Sequence, residues 1–338
     1  MLGFIFAVCG SASAQNGDKS YFDTFTVYWE NDVFAQTDRN YTNGIKLTWS
    51  TPFLAEGQGE SNLPRWCYPV INSLPFVNDP STQRAVSVSV GQNVYTPEDT
   101  REEDLIEDDR PYAGYAYAAV GFHNKNDVRQ NSWEFDIGTV GPLAGAEQNQ
   151  NFVHDVVQSP STNGWDNQIG NELTIEVICE SKWKLFQSQY DSGYGYDVLY
   201  HLGGRVGNVF TYANTGIEFR VGWQLPNNFG SCPIRAGCET NQAFNDATRD
   251  LRYKDGWNIH FFTGVDGRAV LRDIFLDGNT FQHSHSVDKE PYVADLIAGI
   301  ALGNDRFKMS YAWVYRTKEF DTQDTPQVFG AITFSFPF

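Results

Sequence analysis

The sequence predicts an all-β protein: a twelve-stranded antiparallel transmembrane outer-membrane β-barrel with a short helix in an extracellular loop. Three observations carry this. Strand-like segments with period-2 alternation recur along the whole chain of 338 residues. Aromatic residues reach 15%, with 25 Phe, 17 Tyr and 9 Trp, a composition that suits strands, and above all strands that meet lipid. No stretch of about 18 apolar residues exists, so no helix of this sequence spans a bilayer.

The strand-like segments are 21–31, 43–53, 84–96, 112–124, 129–141, 170–183, 195–207, 211–223, 256–272, 291–303, 305–318 and 327–338. A half-buried sandwich strand also alternates, so the deciding feature is the face that is not apolar. In "RFKMSYAWVYR", Phe307, Met309, Tyr311, Trp313 and Tyr315 share one face, and Lys308, Ser310, Ala312 and Arg316 share the other. Aromatics toward lipid and polar groups toward a lumen is the barrel pattern. In "VFGAITFSFPF" the set Val328, Ile332, Phe334, Phe336 and Phe338 alternates with smaller residues. Bacterial outer-membrane barrels resemble this, with an aromatic final strand ending in Phe. An even strand number is what closure of a bacterial barrel usually requires.

The first residues, "MLGFIFAVCGSASAQ", read as a secretory signal. Residues 2–8 are apolar, and Ala12-Ser13-Ala14 fits the small-residue cleavage rule. The expected division is therefore a signal peptide over 1–14 and a single barrel domain over 15–338. Export permits disulfides. Cys232 and Cys238 share the loop "FGSCPIRAGCET" and are expected to pair; Cys67 with Cys179 is the pairing that remains. The formal net charge of −18 argues against nucleic acid, which it would repel. An anionic substrate needs local Arg or Lys, or a divalent cation.

With both termini periplasmic, connections alternate in side. The outer ones are 32–42, 97–111, 142–169, 208–210, 273–290 and 319–326. Three carry unusual polar chemistry. "WENDVFAQTDRNYTNG" places Asn31, Asp32 and Thr42 at the tip of the first hairpin, although two residues suffice to turn one. "YTPEDTREEDLIEDDRPYAGY" sets Arg101 and Arg110 among carboxylates. "LAGAEQNQNFVHDVVQ" lacks strand alternation; Phe152, Val153, Val156 and Val157 fit a short amphipathic helix that also bears Gln150 and His154.

Each candidate has a plain alternative. His154 suits general-base work near neutral pH, or is a solvated helix residue. Asp32 suits a hard cation, or shapes a turn. Asn31 and Thr42 suit hydrogen bonding to an oxyanion, or the same turn. Arg101 or Arg110 suits a phosphate, and for Arg110 a pairing with Asp108 or Asp109 is favoured. The acidic run 102–109 and the pair His283 and His285 read first as solvated loop. The sequence has no G-x-S-x-G elbow, no H-E-x-x-H and no EF-hand loop.

Three blocks together resemble one family. "ENDVF…TDRNYTNGIKLTW", "QNVYTPED…DDRPYAGY" and "GTVGPLAGAEQNQNFVH…NGWDNQIGNE", in this order over about residues 25–172, are similar to the outer-membrane lipid A 3′-O-deacylases of the LpxR family. The resemblance implies a calcium-dependent esterase that removes the 3′-linked acyloxyacyl chain from lipid A in the outer leaflet. It implies Ca²⁺ as cofactor, lipopolysaccharide as substrate and a bacterial outer-membrane location, with a monomer expected. It places the family's Asn-Asp pair on Asn31 and Asp32, its Thr on Thr42 and its His on His154. The family's Lys after "QNVYTP" has no Lys counterpart between Tyr95 and Arg110, and Arg101 stands nearest; an Arg fork is not a Lys point charge. On this reading Asp32 and nearby carbonyls hold Ca²⁺, His154 takes a proton from water, and Asn31, Thr42 and Arg101 position the ester. The rival readings are an outer-membrane phospholipase, which needs a Ser beside its His, and a passive channel or adhesin barrel.

Overall fold

The computed structural model describes residues 21–32, 40–53, 63–157, 162–230, 256–304 and 306–338, with the backbone alone given for 40 and 152–157. Its strands are β1 (Thr24–Asn31), β2 (Asn40–Ser50), β3 (Gln83–Thr96), β4 (Ala113–Lys125), β5 (Arg129–Val140), β6 (Glu172–Gln189), β7 (Tyr194–Gly207), β8 (Phe210–Trp223), β9 (Asn258–Asp273), β10 (Tyr292–Gly303), β11 (Lys308–Arg316) and β12 (Gln327–Pro337). Each pairs antiparallel with its sequence neighbours, and β1 pairs with β12 to close the barrel. Closure leaves no open edge, which a bilayer requires because lipid cannot satisfy a free N–H or C=O. The expected segments match these strands to within a few residues. The exception is β6, which runs six residues past the expected end at 183. A bulge between Lys184 and Phe186 shifts the alternation there while pairing to β7 continues.

The lipid face is the aromatic one. Met309 and Trp313 are exposed, while Lys308, Ser310, Ala312 and Val314 between them are buried. Buried polar groups need partners, and the lumen supplies them as ion pairs. Lys46 meets Glu134 at 3.0 Å, Arg220 meets Asp197, and Arg268 and Arg316 share Asp295 at 2.9 and 2.8 Å. Near the outer mouth this packing leaves a cavity of about 100 Å³ lined by Glu30, Tyr41, Tyr95, Tyr115, Arg205 and Arg316, among others.

The turns at 126–128, 190–193 and 304–307 are short, and the loops 97–112, 141–171 and 274–291 at the other end are long. Short periplasmic turns and long extracellular loops orient the barrel. Two periplasmic connections depart from this: 224–257, most of it outside the described residues, and 51–82, which carries helix α1 (Cys67–Ser73), whose Cys67 and Ile71 pack on Val86 and Phe122 of the outer wall.

The cysteines correct one expectation. Cys67 and Cys179 are free thiols. Cys67 is buried under α1, Cys179 lies on β6, and Trp133 of β5 stands between them: it packs against the Cys67 cluster and pairs in register with Cys179. The signal segment and the expected Cys232–Cys238 pair lie outside the described residues.

Candidate functional site

The first site element arises from a register shift. In β2, Gly44, Lys46, Thr48 and Ser50 alternate inward, so simple alternation would also send Thr42 into the lumen. A β-bulge between Tyr41 and Asn43 intervenes. Tyr41 now faces the lumen beside Tyr95 and Phe329, with ring centroids 5.2 and 5.4 Å away. Thr42 faces the outer wall, where its hydroxyl lies 2.8 Å from that of Thr96. Asn43 also faces outward; its Oδ1 accepts from Trp29 Nε1 at 3.0 Å and lies 3.5 Å from Asn31 Nδ2. Bulges re-aim side chains in this way beside functional sites.

The result is a polar patch on a wall that should be apolar. Asn31, Thr42, Asn43, Thr96 and Gln92 lie on the lipid side at the outer rim, and Asp32, at the start of the hairpin tip, is fully buried. Burying such groups without partners costs about 1–3 kcal/mol each, so a wall facing only acyl chains would not collect them.

The second element is helix α2 (Ala146–Val157), expected over 143–158, which packs on the outer side of β3 and β4 beside this patch. The chain reaches it through "GPLAG". Pro142 opens a 3-10 turn and Gly145 ends it with φ 69°, a left-handed conformation that glycine adopts without Cβ strain. The helix then seats closely because Gly114 of β4 has no side chain: a Cβ there would lie 2.5 Å from the Ala146 Cβ. Val94, Tyr112, Ala146 and Trp165 form the small buried cluster beneath. Three successive helix residues are tied to three places. Asn149 Nδ2 donates to Gln92 Oε1 at 2.5 Å, Gln150 Oε1 accepts from Trp165 Nε1 at 3.1 Å, and Asn151 Oδ1 accepts from Thr162 Oγ1 at 3.2 Å. Residue 154 lies one turn beyond Gln150 on the same stripe of the helix.

The third element is the loop 97–112. Arg101 is 73% exposed, and its guanidinium meets Asp99 at 3.1 Å. That hydrogen-bonded fork holds the Asp99 carboxyl below the usual carboxylate range. Arg101 thus stands at the surface, outside the buried patch. Arg110 corrects the favoured pairing with Asp108 or Asp109. Its side chain is 1% exposed in the mouth of the lumen and bonds Glu319 at 2.8 Å, with Tyr95 and Phe320 rings 5.8 and 5.3 Å from its guanidinium carbon. Burial pushes the Glu319 carboxyl up, but Arg110, Arg316 and Arg268 together hold it below its ordinary value. His285 Nε2 lies 2.9 Å from the Asp109 carbonyl, which ties two outer loops together.

The structure places Asn31, Asp32 and Thr42 at one rim, on β1 and β2; the helix that carries residue 154 packs next to them on β3 and β4, and Arg101 stands on the neighbouring surface. Sequence reading missed Asn43, Gln92 and Thr96. Their signal was a polar residue at a lipid-side position, legible only once the bulge is known. It also missed a Ser–His–Ser row: Ser87, His123 and Ser132 are linked at 2.8 and 2.9 Å. All three are at most 2% exposed inside the lumen, out of reach of a lipid ester.

The donors at the hairpin rim are oxygens: one carboxylate from Asp32, amides from Asn31 and Asn43, and hydroxyls from Thr42 and Thr96. Among the described residues no group of three or more His, Cys, Asp or Glu gathers to hold a metal. Carboxylate, amide and hydroxyl oxygens with few charges fit a hard cation that keeps carbonyl or water ligands, and do not fit zinc.

Comparison with known proteins agrees with the barrel. The family described as "Outer membrane protein LpxR" matches residues 1–338. No curated protein matches the chain in sequence. Among solved structures, LpxR from Salmonella typhimurium superposes with a TM-score of 0.70 at 19% identity, covering 93% of this chain and 100% of that one. The β domain of the Bordetella autotransporter BrkA gives a TM-score of 0.45 at 6% identity, covering 94% and 99%. The whole-length family match, on a closed twelve-stranded barrel, decides the assignment: the chain belongs to the LpxR family of outer-membrane lipid A 3′-O-deacylases.

Proposed function

We propose that this protein is a calcium-dependent esterase that removes the 3′-linked acyloxyacyl chain from lipid A by water attack. The observation that carries the reading is the polar patch of Asn31, Thr42, Asn43 and Thr96 on the lipid-facing wall, with α2 packed beside it on β3 and β4. An ester at the rim of the outer leaflet would meet this patch from the membrane side. The lumen would not serve, because its charges are already paired across the barrel. The same pairing speaks against a passive channel.

In this reading His154 is the general base and takes a proton from the attacking water. Asn31 Nδ2 and the Thr42 hydroxyl are the donors that steady the oxygen on which negative charge develops. Asp32, with nearby carbonyl oxygens, would hold Ca²⁺. A bound Ca²⁺ supplies polarisation of the ester carbonyl. Arg101, whose pairing with Asp99 is fully in water and so weak, is free to exchange partners and meet a lipid A phosphate at the surface. No serine nucleophile is needed.

The test is mass spectrometry of lipid A after incubation with the refolded protein in detergent, with Ca²⁺ or with chelator. Calcium-dependent loss of the 3′ acyloxyacyl group is expected, with a fall of about 10²–10⁴-fold in His154→Ala. Intact lipid A from a folded barrel with calcium present would overturn the reading. Phospholipids would then be the next substrates tried.

A further inference from the structure

Two blocks of the site region, "DDRPYAGY" and "NGWDNQ", take no part in the chemistry above. The fold gives them a shared task. Trp165 lies in the 3-10 turn Gly164–Asn167 and is 3% exposed. Its ring sits against Tyr112 with centroids 4.8 Å apart, and its Nε1–H donates to Gln150 Oε1 at 3.1 Å and to Thr162 Oγ1 at 3.1 Å. Tyr112 is in turn fixed, since its hydroxyl donates to the Thr100 carbonyl at 3.1 Å and its own carbonyl accepts from Ile169 N at 3.0 Å. Asn163 and Asn167 pin the turn to the Arg101 and Glu103 carbonyls at 3.1 and 2.8 Å. The loop they grip is anchored in the barrel mouth by Arg110 on Glu319. A rigid path of contacts thus runs from the lumen mouth, over the rim, to one residue of α2.

We infer that Trp165 is a positioning residue of the deacylation reaction, which sets the rotation of α2 on the barrel wall by tying Gln150 through its indole to Tyr112. Gln150 and residue 154 are four apart, on one stripe of the helix, so a grip on the first fixes the azimuth of the second. Asn149 on Gln92 and Asn151 on Thr162 hold the helix from either side; Asn151, three before residue 154, supports the same face, and Gln150 is the member of that face held by the buried indole. A buried indole N–H needs an acceptor, and here Gln150 Oε1 shares it with Thr162 Oγ1, so the turn and the helix are held at one point. The inference rests on the reading of α2 as a wall of the active site.

Steady-state kinetics on lipid A in detergent with calcium test it. Trp165→Phe keeps the ring contact and removes the donor. It is expected to lower kcat by about 10- to 100-fold with KM unchanged, the size that small misplacement of a catalytic group produces. Gln150→Glu keeps an acceptor for the indole and should retain activity; Gln150→Leu should match Trp165→Phe. The double variant Trp165→Phe with Gln150→Leu should be no worse than either single one. Full kcat in Trp165→Phe, a change in KM alone, or additive losses in the double variant would each overturn the inference. Heat-modifiable gel mobility reads barrel folding separately, and Trp165 belongs to no strand. His154→Ala keeps the two readings apart. If it retains activity while Trp165→Phe loses it, the general base is wrong and the clamp stands. If it loses activity while Trp165→Phe does not, the clamp alone falls.

Discussion

Arg110 and Glu319 lie 209 residues apart in the chain and meet at 2.8 Å in the barrel mouth. One comes from the second outer loop and the other from the last. Both are buried, and Glu319 also lies 3.4 Å from Arg316. Removing one member of a buried pair costs about 3–5 kcal/mol because the other is left uncompensated. Arg316 softens that loss here. Arg110→Ala is expected to free the loop 97–112 while the barrel stays closed. Limited proteolysis of the folded protein should show new cleavage between 97 and 112, with heat-modifiable mobility unchanged. Resistance equal to the parent protein would show that the loop is held elsewhere.

Acid should act on the same pair. The Glu319 carboxyl sits below its ordinary value, held there by Arg110 and its neighbours against the opposing effect of burial. A depressed carboxylate contributes stability that is fully present above its unfolded value, near 4.3–4.5 (about the ordinary Glu range). That contribution is lost as pH falls through the folded value. Hydrogen-exchange protection in 97–112 and 317–326, relative to the intrinsic rate at each pH, should therefore be flat from neutral pH down to the ordinary Glu range and fall below it. Glu319→Gln should show the lower protection already at neutral pH.

Gly114 decides whether α2 can seat. A Cβ there would lie 2.5 Å from the Ala146 Cβ and 3.1 Å from that of Ala144. Gly114→Leu adds bulk to a closed contact, where overpacking costs about 1–3 kcal/mol or more. The helix should lift from the wall and deacylation should be lost, while the barrel still folds. Gly114→Ala should give a partial loss. Parental activity in Gly114→Leu would separate the helix from the reaction.

The hairpin rim gives two separable effects. Asn31→Ala removes a candidate oxyanion donor and should lower kcat by about 10²–10³-fold, the usual scale for one such group. Asp32→Asn keeps the shape and removes the charge. It should raise the calcium concentration needed for half-maximal activity, measured by calcium titration of the chelated enzyme. An unchanged calcium requirement would take Asp32 out of the metal site.

The thiols offer a check that needs no substrate. Burial pushes the Cys67 thiol up to about 12, so almost none is thiolate at pH 8, and thiolate is the reactive form. Maleimide should leave Cys67 unmodified in the folded protein and label it after denaturation. Peptide mapping without reductant should find no Cys67–Cys179 bridge.

Alternation along the chain was enough to specify the barrel. Alternation in β11 and β12 showed which face meets lipid, and the count of such segments, with the side on which each loop falls, followed from it. The same arithmetic put Asn31, Asp32, Thr42 and residue 154 at the outer end, because a strand passes its whole local pattern to whichever face its register selects. Tertiary structure decided what alternation cannot encode. The bulge at Tyr41–Asn43 adds one residue and turns Thr42 from lumen to outer wall, a change that leaves no mark in composition. Arg110 faced two carboxylates beside it in sequence, yet burial in the mouth gave it a partner more than two hundred residues away. Trp165 is placed between Tyr112 and Gln150 only by the closed fold, which no local pattern around it encodes. Local pattern fixes the strands because the pleat has a period of two. Long-range partners depend on which loops the closed barrel gathers at one rim, and that is a property of the circle rather than of any segment in it.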